Sequence, residues 1–177
     1  MSVLSIHLLG SPVLRTRSPE IAGVDEELRR LIDDLFETMH AAKGVGLAAN
    51  QVGVARRVAV VEAEEHRFAM INPVIIQSSG RETAEEGCLS IPEIYGDVTR
   101  PGQVLLEAIN QEGQPFRLEA CGLVARAIQH EIDHLDGILF LDHLSPMRRR
   151  LLINRFKREH DGEGYIREVK PTPAGEG

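Results

Sequence analysis

Residues 129–137 read Gln-His-Glu-Ile-Asp-His-Leu-Asp-Gly, and no other stretch of the chain restricts its folding as much. His130 and His134 are four apart, with Glu131 directly after the first. On an α-helix this spacing puts both imidazoles on one side, where they can hold one metal ion while the glutamate handles protons. The flanks predict that helix. At roughly 100° per residue, Val124, Ile128, Ile132 and Leu135 fall within about 80° of one another and form a core-facing stripe. The two histidines lie on a different side of the wheel. Gly137 suits the left-handed position that ends a helix. The same pattern also arises by chance, so the spacing alone leaves a metal site and two ordinary histidines both open.

Other parts of the chain narrow the choice. Its 177 residues are enough for one domain with a real core. No apolar run is long enough to span a membrane. Met1–Leu14 lacks the basic start and small-residue cleavage site of a signal peptide. The net charge of −7 disfavours general binding to DNA or RNA. Two cysteines, Cys88 and Cys121, cannot make a disulfide scaffold and point to a reducing, cytoplasmic setting. Cys121 has no distinguishing context and reads as core.

Asp25 can cap a helix in which Leu28, Leu31, Ile32, Leu35, Phe36 and Met39 recur with helical period, ending at Gly44. Short strands are expected at 58–63, 68–71, 74–77, 104–109 and 115–120, with a hairpin turn over Asn110–Gly113. Ser145-Pro146 starts a last helix rich in arginine. The expected fold is α+β, with short antiparallel strands around the H-E-x-x-H helix and a C-terminal helix. Residues 1–160 are expected to form one catalytic domain, and 161–177 a flexible tail.

Two further segments stand out. Gly44-Val45-Gly46-Leu47-Ala48-Ala49-Asn50-Gln51 is neither a dinucleotide fingerprint nor a P-loop. Its small residues allow a ligand, or simply a packed neighbour, to approach the backbone closely. Glu86-Gly87-Cys88-Leu89-Ser90 places a cysteine in a polar setting. With His130 and His134, Cys88 would make three ligands and leave a fourth position open, as in catalytic sites. A free cysteine is more often inert filling, so this stretch alone does not decide.

In order, these three motifs resemble the signature motifs of the peptide deformylases, and the similarity runs from Leu9-Gly10-Ser11-Pro12-Val13-Leu14 to the helix after Ser145. That helix resembles the bacterial type with a helical C-terminus. Ser11 and Thr99 depart from the residues many members carry, Asp and Pro. The resemblance implies removal of the N-formyl group from formyl-methionyl nascent chains, with release of formate. It implies one divalent metal ion on Cys88, His130 and His134, Fe²⁺ by family habit, with Zn²⁺, Ni²⁺ or Co²⁺ as substitutes. It assigns proton transfer to Glu131, and stabilisation of the developing oxyanion to the Gln51 amide and the Leu89 backbone N–H. Val45 and Gly46 would bind the peptide backbone, while Leu89, Val45, Ala127 and His130 would line the methionine pocket. Glu86 and Arg100 would pair to hold the cysteine loop. The basic last helix would dock on the ribosome near the nascent-chain exit, although such a face is often only solvated. A zinc peptidase is the nearest rival reading. Its third ligand usually lies downstream of the H-E-x-x-H, whereas Cys88 lies upstream. A non-catalytic metal-binding module is the other rival, and the intact Glu131 and Gln51 weigh against it.

Overall fold

The computed structural model describes residues 2–171. Helix α1 (Glu26–Ala41) starts where Asp25 accepts a hydrogen bond from the Leu28 N–H at 2.8 Å. It buries Leu28, Ile32, Leu35, Phe36 and Met39, five of the six residues of the predicted stripe. The helix stops before Gly44, because Lys43 takes a left-handed backbone (φ 59°) and turns the chain. Next come β2 (Gly46–Ala48), a 3-10 turn (Ala49–Val52), β3 (Val58–Ala63) and β4 (His66–Ser79). The first short strand, β1, is Ile6–His7.

Strands 68–71 and 74–77, expected to be separate, form one strand. Asn72 and Pro73 are absorbed as an irregularity in its pairing with β7 (Gln103–Ile109), and Asn72 has φ 50°. A left-handed residue lets the extra length bulge without ending the ladder. β7 pairs in register with β8 (Pro115–Cys121) through the expected turn, so the sheet runs β2-β3-β4-β7-β8, all antiparallel. β3 is apolar on both faces. Val58 and Val60 pack with α1, and Ala59 and Val61 pack with α2 (Gly122–Leu135). A two-sided strand is what a sheet between two helices requires.

The expected strands leave out β5 (Glu82–Cys88) and β6 (Ile91–Arg100), which form a separate antiparallel hairpin. β5 is mostly polar because much of its surface faces outward, and Glu, Thr and Ala there carry no apolar alternation. Helix α3 (Pro146–Glu159) begins as expected, with Ser145 accepting from the Arg148 N–H at 3.2 Å. Beyond it, Ile166–Arg167 form β9, paired with β1. This part of the expected tail is therefore held on the body, and 172–177 lie outside the described residues. Cys121 corrects another expectation. It is exposed, not core, because it closes β8 at the edge of the sheet and stands at the N-cap of α2.

Candidate metal centre and active-site cleft

Each of the three site motifs occupies a different element. Cys88 ends β5, His130, Glu131 and His134 sit on α2, and Gln51 lies in the turn after β2. α2 is fixed by Val124, Ala125, Ile128 and Leu135 in the core, which leaves its histidine side facing the hairpin. The Asn50 side chain donates to the His134 carbonyl at 2.5 Å and ties the Gln51 turn to the end of that helix.

Cys88 Sγ lies 3.2 Å from His134 Nε2, and the two histidine Nε2 atoms are 3.1 Å apart. The three ligand atoms all lie within 4.8 Å of one another. Glu86 explains why they converge. Its Oε1 accepts from His130 Nδ1 at 2.9 Å, which turns Nε2 toward the sulfur. Burial alone would raise the Glu86 pKa, but hydrogen bonds from His130 and Arg100 hold it far below the usual carboxylate range. Burial works against a charge on His130 as well, yet the Cys88 and Glu86 contacts outweigh it and push that ring up to about 10. His134 goes the other way: burial first, and then the charge on His130, keep it well below its ordinary value. A thiolate and two imidazoles are the donors a divalent transition-metal ion accepts, so this set fits such an ion.

The Glu86 carboxylate is enclosed. Arg100 grips it twice, at 2.6 and 2.9 Å, and Arg126 Nη1 donates to it at 2.5 Å. Arg126 also donates to the carbonyls of Val98 and Glu82, at 2.9 Å each, and so fastens α2 to the hairpin. Arg126 is not among the residues that the motifs single out. A signal for it exists nonetheless, since 126, 130 and 134 are spaced four apart on one helix face. Arg100 reaches on to Asp133 at 2.9 Å, and His143 contacts the same carboxylate at 2.8 Å. The Glu86–Arg100 pair is buried, with side chains 4% and 5% exposed.

A cleft of about 630 Å³ opens beside these groups. Val45, Gly46, Gln51, Cys88, Leu89, Ala127, His130 and Glu131 all line it, so the expected site residues that can meet a substrate share one wall system. His134 is buried behind. Leu123, Arg126 and Tyr95 also line it, and no motif marks them. Gln51 Oε1 accepts from the Ala48 N–H at 3.0 Å, which leaves its Nε2 directed at Ser90 Oγ (3.1 Å) and Cys88 Sγ (3.6 Å). Glu131 is 3% exposed, and its Oε2 has no partner among the described residues. Burial pushes its pKa up to about 7, against the opposing charge on His130. Gly46 makes room for it: a Cβ there would meet Glu131 Oε1 at 2.9 Å.

A cysteine and an H-E-x-x-H helix that converge at the floor of an α+β cleft define a metal-site hydrolase architecture. Comparison with known proteins specifies the class. The sequence model of the polypeptide deformylase family matches residues 3–150. A peptide deformylase of Pelotomaculum thermopropionicum is 47% identical over 84% of this chain and 96% of its own length. One from Heliobacterium modesticaldum is 49% identical over 81% and 95%. The crystal structure of the Ehrlichia chaffeensis enzyme in complex with actinonin superposes with a TM-score of 0.88 at 38% identity, covering 91% of this chain and 99% of that one. The chain belongs to the peptide deformylase family. It is a hydrolase that removes the formyl group from nascent chains, in a family that is metal-dependent. No helix among the described residues is long and apolar enough to cross a membrane.

Proposed function

We propose that Cys88, His130 and His134 hold one divalent ion, Fe²⁺ in the cell with Zn²⁺, Ni²⁺ or Co²⁺ as substitutes, and that the adjoining cleft hydrolyses formyl-methionyl peptides. The observation that carries this reading is the convergence of the three ligand atoms within 4.8 Å beside the buried Glu131 carboxylate, whose Oε2 has no partner among the described residues. When bound, the ion supplies Lewis acidity, polarising the formyl group and acidifying water next to it. Glu131 takes the proton of the attacking water and delivers it to the departing amine nitrogen. A C–O bond forms, the formyl C–N bond breaks, and formate and a free α-amine result. The Gln51 amide and the Leu89 backbone N–H face the formyl oxygen as it gains charge; losing one such donor typically costs about 3 kcal/mol.

The free edge at Val45 and Gly46 pairs with the extended peptide backbone. Leu89, Val45, Ala127 and His130 receive the methionine side chain. Glu86 and Arg100 keep His130 turned toward the ion. Actinonin, bound by the Ehrlichia chaffeensis enzyme, would occupy the same cleft. Residues 1–160, α3 included, act as one catalytic domain in the cytoplasm, and α3 brings it to the ribosome near the nascent-chain exit.

The test is formate release from a formyl-Met peptide, with acetyl-Met as control. Wild type should act on the first alone. Glu131→Gln should retain metal yet lose about 10²–10⁴ in kcat, and Asp133→Asn should lose less. A reversed order would show that the wrong carboxylate was chosen. Cys88→Ala should lose both metal and activity; full metal content in that variant would refute the ligand set.

A further inference from the structure

Gln51, Cys88, His130 and Glu131 line the cleft together with residues that no motif marks. Along β2 the chain passes from exposed Lys43 and Val45 to fully buried Leu47 and Ala48, then to Gln51. β2 is also an edge strand of its sheet. An extended peptide paired with that edge, with its formyl group at Gln51, would leave in the exposed direction, over Val45, Gly44 and Lys43. Lys43 and Ala42 line the cleft together with Arg167, Glu168 and Val169. These last three residues come from beyond α3, outside the residues matched by the family model.

The segment is held there by independent contacts. The Tyr165 carbonyl accepts a hydrogen bond from the Leu8 N–H at 2.7 Å, and Arg167 pairs with Ile6 across β9 and β1. The Tyr165 ring lies on Gly10, where a Cβ would meet it at 2.5 Å. Val169 packs on the cluster of Ile6, Leu8 and Ile91. The charges at the rim of the cleft are Glu85, Glu93 and Glu168 against Lys43 and Arg167. Arg167 is already engaged by Glu163 at 2.6 Å and Arg155 stands near Glu93, which leaves Glu85 and Glu168 against Lys43, an acidic balance.

We propose that Arg167–Val169 form a wall of the subsite for the residues that follow formyl-methionine, and that Glu168 makes this subsite favour a basic side chain. The inference rests on the reading that the cleft binds formyl peptides. The segment gives this chain a specificity element that the motifs of the catalytic floor do not encode.

The test uses the full chain loaded with metal at low ionic strength. Formate release is measured from formyl-Met-Ala, formyl-Met-Ala-Ala-Lys and formyl-Met-Ala-Ala-Glu. The wild-type ratio of kcat/KM for the Lys peptide over the Glu peptide should exceed one. It should fall about threefold in Glu168→Lys, the size expected of one solvent-exposed charge pair, and added salt should shrink the difference. Glu112→Lys, the same change in net charge in the distant β7–β8 turn, should leave the ratio at its wild-type value. Both residues are exposed, so neither change strains the fold. A wild-type ratio of one, a ratio that Glu168→Lys does not move, or an equal fall in both variants would overturn the inference. No formate from formyl-Met-Ala with wild type would instead overturn the reading of the cleft itself, and the subsite with it.

Discussion

Gly46 shows how one missing side chain serves a site. A Cβ on residue 46 would stand only 2.9 Å from Glu131 Oε1 and 3.0 Å from its Cδ and Cγ. Gly46→Ala must therefore displace Glu131 or the edge of β2, and contacts this short do not relax for free. The expected result is a chain that folds and keeps its metal but loses at least about tenfold in kcat, since small misplacements of a proton-transfer group are costly. Circular dichroism, metal content and formate release separate the three readouts. Full activity in Gly46→Ala would mean that the glycine serves backbone packing only. At the same scale Glu86 contrasts with Glu131. One is paired with two arginines and a histidine and is held charged; the other is buried with no partner on Oε2 among the described residues, and its pKa is pushed up to about 7. Burial is common to both, and the partners decide the sign.

Between elements, Asp142 joins three pieces of the chain. Its carboxylate accepts from Arg15 at 2.6 Å and from the Leu139 N–H at 3.0 Å, and Arg149 of α3 stands 3.8 Å away. Burial opposes ionisation, but the Arg15 and Leu139 hydrogen bonds outweigh it and lower the pKa. A carboxyl group lowered in the folded state contributes stability above its unfolded pKa, about 3.9, and loses it as pH falls through the folded value. Asp142→Asn should therefore be less stable than wild type at pH 7, with the gap closing below about pH 4. Urea midpoints at pH 7 and pH 3 check this; a gap that is equal at both would assign the effect to packing. The β5–β6 hairpin is likewise joined through charge. Arg126 fastens it to α2 through Glu86 and Arg100 does so through Asp133, so charged groups join the apolar packing of Ile91, Ile94 and Val98 in positioning the element that carries Cys88.

For the whole molecule, charge distribution bears on where it works. The chain carries −7 overall, yet α3 presents Arg148, Arg149, Arg150, Arg155, Lys157 and Arg158, all exposed. Arg155 is paired with Glu159 and Arg149 lies near Asp142, whereas Arg148, Arg150 and Lys157 make no ion pair among the described residues. If α3 docks on ribosomal RNA, reversing Arg148, Arg150 and Lys157 to Glu should weaken ribosome binding. The salt slope should fall by about one for each phosphate that is no longer neutralised, with activity on a free formyl-Met peptide near normal. Unchanged affinity across a salt series would remove the docking role and leave the enzyme assignment intact. Local sequence was enough to specify the elements with strong period or caps: α1 from its stripe and Asp25, α2 from its stripe, and α3 from Ser145-Pro146. The three motifs also held residues that line the cleft, Cys88, His130, Glu131 and Gln51, whose roles came only with the resemblance to a known family. The β5–β6 hairpin, the joining of 68–71 to 74–77, the exposure of Cys121 and the seating of β9 on β1 emerged with the tertiary structure. There the deciding contacts come from residues distant in sequence, such as Arg126 on Glu86 or Leu8 on Tyr165. Local periodicity carries no information about such a contact, because the partner that supplies its energy lies outside any short window of the chain.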